Sequence, residues 1–291
     1  MVLPGFMTTL LRDPAPRWAF ELSEAGLAVA RAARPPETGF HPLDPDVISP
    51  SPVRDNILRM EALSARVQAL APRGEKKRQR AVLILPDYAV RVSVLDFDSF
   101  PSDAGQQLSL VRFRIKKSLP FDIDAAGVSY FPQPAAGRVD VVVAVAPLEI
   151  IARYELPFRS AGYHPGLVTT STLCALELVK STGPALLARV SGRTLTLAVL
   201  DADRLRLLRS IELAGDAGEI ASHLYPTFAF MDDQLGAGPR QVFTCGLTAH
   251  ANQELSEEIG QTCEPLRSRF GIPDQFNAGL LGYLESLEQL Q

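Results

Sequence analysis

The sequence predicts an α/β protein made of two structural halves, with a β-rich module set into the first. Two hairpin patterns, near residues 20 and 190, each open a stretch that goes on into helical periodicities. Between them lies a run of continuous and alternating apolar segments, residues 81–146. At about 150 residues per domain, a chain of 291 residues divides into roughly two lobes.

Taken in order, residues 18–33 (WAFELSEAGLAVARAA) read as two strands, with Phe20 and Leu22, then Leu27 and Val29, alternating with other residues. Ser23-Glu24-Ala25-Gly26 is the polar break, and Gly26 supplies a permissive backbone. A proline-rich stretch follows (Pro35, Pro36, Pro42, Pro45, Pro50). Ser51-Pro52 then predicts a helix start, with Ile57, Met60, Leu63, Val67 and Leu70 on one face. Residues 73–80 (RGEKKRQR) carry five basic side chains and one acid, a solvated boundary with a secondary attraction to anionic lipid. Residues 81–86 (AVLILP) predict a buried strand and residues 90–97 (VRVSVLDF) a half-buried one. A basic helix is expected over 102–118, strands over 128–131 and 139–145, and a helix from Pro147 closed by Gly162. A short strand over 167–169 and a helix over 172–180 complete the first half. The second half opens with ALLARVS, turns at Gly192-Arg193, and turns again at Ala202-Asp203. A helix over 219–234 is expected to kink or end at Pro226. A strand over 241–246, a helix, a short strand and a terminal helix over 278–290 finish the chain.

Composition narrows the function. The chain is 46% apolar with 29 basic and 33 acidic residues, a formal charge of -4, which excludes disorder and a general nucleic-acid binder. Cys174, Cys245 and Cys263 form no C-x-x-C or Cys/His ligand spacing, so no metal site is expected and a reducing, cytoplasmic compartment fits. No apolar segment reaches the roughly 18 residues of a membrane helix. The apolar start (MVLPGFMTTLL) reads as a docked or partner-bound tail, with a membrane foot as the sharper reading. His41, His164, His223 and His250 are scattered and read as ordinary histidines. No hydrolase, P-loop or zincin motif is present, and no catalytic residue is assigned.

Residues 55–179 resemble the PilM-type proteins of type IV pilus assembly, relatives of actin and FtsA. The features run in the family's order: a strand ending Leu85-Pro86, a basic helix ending KKSLPFD (116–122), a strand with Tyr130, VDVVVAVAP, and a helix closing Ala161-Gly162-Tyr163. The resemblance implies an actin-like (ribonuclease H-like) two-lobed α/β fold with an FtsA-type inserted subdomain. Residues 1–80 and 147–184 would form the first lobe, 81–146 the insert, and 185–291 a trimmed second lobe.

In nucleotide-binding relatives two glycine-bearing hairpins approach the phosphates, an acid on each holds magnesium, and a third glycine loop admits adenosine. Those positions correspond here to Glu21, Ser23, Glu24 and Gly26, then Arg189, Ser191 and Gly192, then Cys245 and Gly246. Serine replaces glycine in both hairpins, Glu24 adds negative charge, and Arg189 replaces an acid. The resemblance therefore implies vestigial nucleotide loops, no cofactor and lost ATPase activity; the alternative is a nucleotide-switched assembly protein that still binds ATP and Mg. It further implies a scaffold, peripherally recruited to the inner membrane, that holds the N-terminal segment of a PilN-like protein in a groove between first lobe and insert. A pilus and a secretion-system role are not separated by the sequence. Self-association is a further expectation, and the groove residues are not readable.

Overall fold

The computed structural model describes residues 16–31, 35–71, 77–135, 137–214 and 218–289. The apolar N-terminal tail, most of the basic run at 73–76 and the last two residues lie outside that range.

The first hairpin forms as the alternation predicts. β1 (Trp18–Leu22) and β2 (Gly26–Arg31) pair antiparallel, with Glu21 opposite Ala28. A third strand, β3 (Glu37–Pro42), pairs with β2 where the prolines suggested irregular chain. It is an edge strand and mostly exposed, the setting in which proline is tolerated. The helix expected from Ser51 begins only at Met60, as α1 (Met60–Ala69). Ser51 Oγ instead accepts from the backbone of Val53 and Arg54 (3.3 and 3.1 Å), and Asn56 bonds both the Ser51 N–H and its carbonyl. Such local side-chain bonds hold the backbone out of a helix.

β4 (Gln79–Leu85) runs parallel to β1. The chain then leaves to build the module: β5 (Arg91–Phe97), α2 (Ala104–Ile115), β6 (Ala126–Ala135) and β7 (Arg138–Pro147), with sheet order β5-β7-β6. Asp103 caps α2 by accepting from the Gln106 N–H at 2.9 Å. α3 (Leu148–Ser160) leads back to β8 (Tyr163–Thr170), which pairs parallel with β4. The first sheet is therefore β3-β2-β1-β4-β8. β4 belongs to it, so the insert begins beyond Leu85 rather than at residue 81. A strand buried on both faces gives the same unbroken apolar run whichever sheet it joins.

After the short helix α4 (Ser171–Ala175), the second lobe repeats the plan. β9 (Ala185–Ser191), β10 (Thr194–Asp201) and β11 (Arg204–Glu212) form an antiparallel meander. α5 (Gly218–Leu235) runs straight through Pro226. The carbonyl of His223 is bonded by Arg209 (2.5 Å) and Thr227 (3.2 Å). β12 (Gln241–Cys245) lies parallel to β9, and β13 (Cys263–Pro265), after α6 (Ala249–Ile259), lies parallel to β12. The order β11-β10-β9-β12-β13 matches that of the first sheet strand for strand. The weak echo in the sequence is thus a duplicated topology.

Between the two sheets α4 packs on α7 (Ala278–Gln289). A Cβ on Gly282 would collide with the Cys174 carbonyl, so glycine there permits the close approach. Their side chains form one apolar layer with the facing residues of both sheets.

Candidate functional site

The duplicated topology brings the two hairpins tip to tip. In each, a residue one turn before the tip faces the seam: Glu21 on β1 and Arg189 on β9. Both are buried, at 1% and 2% exposure. Arg189 reaches across the lobes. It donates to Asp87 at 2.8 Å, to Glu21 at 3.3 Å and to the Gln275 carbonyl at 2.9 Å. Glu21 also accepts from the Ser171 hydroxyl and from the Leu280 N–H at 2.7 Å. Asp87, in the turn after β4, accepts from the Thr172 N–H (2.8 Å), its hydroxyl (2.6 Å) and the Thr196 hydroxyl (3.2 Å). One cation thus faces two carboxylates in a dry seam. Burial lifts the Glu21 carboxyl above its ordinary value against the pull of Arg189 and Ser171. Burial also opposes the Arg189 charge, but Asp87 and Glu21 outweigh it and hold the guanidinium more firmly protonated.

The remaining loop residues are occupied as well. Ser23 Oγ donates to the Gly26 carbonyl and accepts from its N–H, closing its own turn. Gly26 lies where a Cβ would strike the His41 carbonyl, so its role is close strand packing. Glu24 lies against Gly192 of the other hairpin, which has φ +54° and no room for a Cβ. Burial raises the Glu24 carboxyl, and the Arg193 backbone N–H and charge partly offset it. Gln275 closes the third loop: its Oε1 accepts from the Gly192 N–H (3.2 Å) and its Nε2 donates to the Gly246 carbonyl (3.0 Å). Gly246, at φ +81°, abuts the Val190 carbonyl. Cys245 donates to the Asp274 carbonyl at 3.3 Å, and burial pushes its thiol up to about 11. Ser191 lines what space remains, about 10 Å³ beside Asp87 and Phe276. That is room for about one water.

These residues do not fit a magnesium nucleotide. The N–H that would meet a phosphate is bonded by Gln275, and the position for the second metal-holding acid carries a guanidinium. No group of three or more His, Cys, Asp or Glu able to hold a metal ion occurs among the described residues. Eight of the nine sequence-predicted positions lie at this seam, and Gly26 packs against β3 instead. Asp87, Ser171, Thr172 and Gln275 were not predicted. Asp87 had a signal, an acid directly after the strand end Leu85-Pro86; Gln275 had none.

A second crevice, of about 380 Å³, lies between the first lobe and the module. Its walls are β8 and β6, each the last strand of its sheet, with β7 as floor. Along β7 the odd valines, Val141, Val143 and Val145, pack inside the module, while Val142, Ala144 and Ala146 face the groove. Small side chains at 144 and 146 leave the space open. No charged side chain lines it among the described residues. The buried Thr170 hydroxyl, in its lining, has no hydrogen-bond partner. At its edge Ile151 and Leu148 of α3 border Gly127 of β6, and Leu148 is 55% exposed.

No family model matches the sequence, and no curated protein matches it. Solved structures do. A chain of the PilM–PilN type IV pilus biogenesis complex superposes with a TM-score of 0.78 at 17% identity, covering 94% of this chain and 99% of that one. The protein has the actin-like fold. The PilM-type resemblance seen in the sequence therefore extends over both lobes as a shared fold. The cytoplasmic domain of EpsL, an inner-membrane component of the type II secretion system of Vibrio cholerae, aligns at 13% identity with a TM-score of 0.53, covering 94% of this chain and 92% of that one. An actin-like ATPase-fold protein of unknown function from Bacteroides thetaiotaomicron aligns at 9% identity with a TM-score of 0.52, covering 85% and 89%. No described helix is long and apolar enough to cross a membrane.

Proposed function

We propose that the protein is a non-catalytic scaffold of a type IV pilus or related secretion assembly platform. It holds the N-terminal segment of a PilN-like inner-membrane protein in the groove between first lobe and module, and is recruited to the inner membrane through that partner. The observation that carries the reading is the groove: lined by uncharged side chains and walled by β8 and β6, each the last strand of its sheet among the described residues. An extended segment can bond such an edge while apolar side chains fill the space. Two buried anchors contribute about 1.5–3 kcal/mol each. With main-chain bonds, and less the cost of ordering, this puts affinity in roughly the micromolar range. The shared fold with a chain from a complex that contains PilN supports the choice of partner.

The sealed cleft supports the absence of turnover, because a nucleotide would have to displace both Arg189 and Gln275. The test has two arms. A labelled peptide of the partner's N-terminal segment should bind the wild type and lose at least about tenfold in affinity with Ala144→Trp, which fills the groove. Magnesium-ATP at millimolar concentration should leave the melting temperature unchanged. A rise of several degrees, or equal peptide binding by the filled variant, overturns the corresponding half of the proposal.

A further inference from the structure

The second lobe touches the module as well as the first lobe. Gln133 of β6 exchanges two hydrogen bonds with the Leu205 backbone of β11, Nε2 to the carbonyl at 3.0 Å and N–H to Oε1 at 2.9 Å. Beside it Arg206 of β11 pairs with Asp140 of β7, both nearly buried. Val92 and Val142 of the module share an apolar cluster with Leu205 and Leu208 of the second lobe, and the groove residue Ala144 packs on the same cluster. The floor of the groove is thus continuous with the lobe–module contact.

Chain connectivity makes this contact consequential. The module joins the first lobe through two crossovers, after Leu85 and before Leu148. At one edge of the groove Ile151 and Leu148 of α3 meet Gly127 of β6, and elsewhere the described walls stand apart. The second lobe adds a further support at Gln133 and Asp140, one that bears on the module's tilt and hence on the groove's width. That lobe is in turn fixed to the first by Arg189 through Glu21 and Asp87.

We infer that the second lobe, its nucleotide cradle sealed, acts as a strut that sets the width of the partner groove, with Gln133, Asp140 and Arg206 as positioning residues. This rests on the partner reading above for its functional consequence, but the strut is testable without any partner. Arg206→Gln removes the tie while Arg138, 3.5 Å from Asp140, still compensates that acid, so the variant keeps a folded module. Arg206→Gln combined with Gln133→Leu removes both ties. The reciprocal pair Asp140→Arg with Arg206→Asp restores the ion pair with opposite polarity.

Spin labels at Gln106→Cys on the exposed face of α2 and Ala152→Cys on that of α3 span the groove, and the three native cysteines are buried from labelling. The wild type should give one narrow distance distribution. The double-tie variant should widen it at least about twofold and the swap should narrow it again. Peptide affinity, measured with the labelled partner segment in the full chain, should fall about tenfold and recover in the swap. An unchanged distance distribution overturns the strut. A widened groove with unchanged affinity overturns its role in binding. If the wild type itself does not bind the peptide, the partner reading fails while the distances still decide the strut.

Discussion

The interlobe cleft and the lobe–module groove are both seams between folded bodies, and their chemistry is opposite. In the cleft, charged and hydroxyl groups from both lobes bond one another, with the Arg189 Nε left without a partner, around space for about one water. In the groove, apolar walls stand apart around some 380 Å³, with an unpartnered hydroxyl and two strand edges. A ligand entering a seam that bonds to itself must first replace buried ion pairs. A seam whose walls stand apart gains by being filled. The difference teaches that one fold can close one crevice with a few polar side chains and leave another open with a few small ones, while the duplicated sheets stay in place.

The largest expected effect breaks the cleft. Arg189→Ala leaves Glu21 and Asp87 facing each other in a buried site, and the loss of one partner of such a network costs about 3–5 kcal/mol. Denaturant unfolding should show a fall of that size. Glu21→Gln in the same background should recover part of it by removing one of the stranded charges. A loss below about 1 kcal/mol would place the pair among exposed ion pairs of little consequence.

A buried carboxyl with no ion pair to its oxygens among the described residues sharpens the same comparison. Glu177, in the turn after α4 that packs on α7, has an Oε2 with no hydrogen-bond partner. Burial pushes its carboxyl up to about 7, helped by Glu285 and opposed by Lys180. Because this value is raised above the unfolded one, the folded chain keeps a proton that the unfolded chain releases. The stabilisation is full below about pH 4.5 and is lost as pH rises through about 7. Glu177→Gln imitates the protonated form. It should match the wild type near pH 4.5 and exceed it by about 3 kcal/mol at pH 8. A pH-independent difference in unfolding free energy would remove Glu177 as the source.

Much of this was legible in the sequence. Both hairpins, their turn residues and the central strand β7 follow from alternation and glycine placement. At Ser23, Glu24 and Arg189 the sequence departs from the family pattern in charge and in glycine. What those changes build was not visible. Arg189 reads as a lost acid; only folding puts it against Glu21, 168 positions away, and Asp87, 102 away. Gln275 lies in a loop with no periodicity, and its carboxamide matters only because the chain returns there between Gly192 and Gly246. The groove was hidden for a similar reason. Alanine at 144 and 146 is carried within a valine-rich strand without breaking its pattern, and becomes a void only when β8 stands opposite.

Thr170 gives the smallest effect and the one whose sign separates the two seams most cleanly. Its hydroxyl is buried at the groove without a partner, and an unsatisfied buried hydroxyl costs about 1–3 kcal/mol in the free protein. Thr170→Val replaces it with a methyl of similar shape. In the unliganded protein the change should stabilise by about 1 kcal/mol, seen as a higher denaturant midpoint with an unchanged slope. If the proposed partner segment reaches and bonds that hydroxyl, affinity for the segment should fall about fivefold in the variant, near 1 kcal/mol. A residue that merely packs would move both quantities in the same direction. Opposite signs in the two measurements identify a group held unpaired for a ligand, in contrast to Glu21 and Asp87 of the cleft, which already accept from their neighbours.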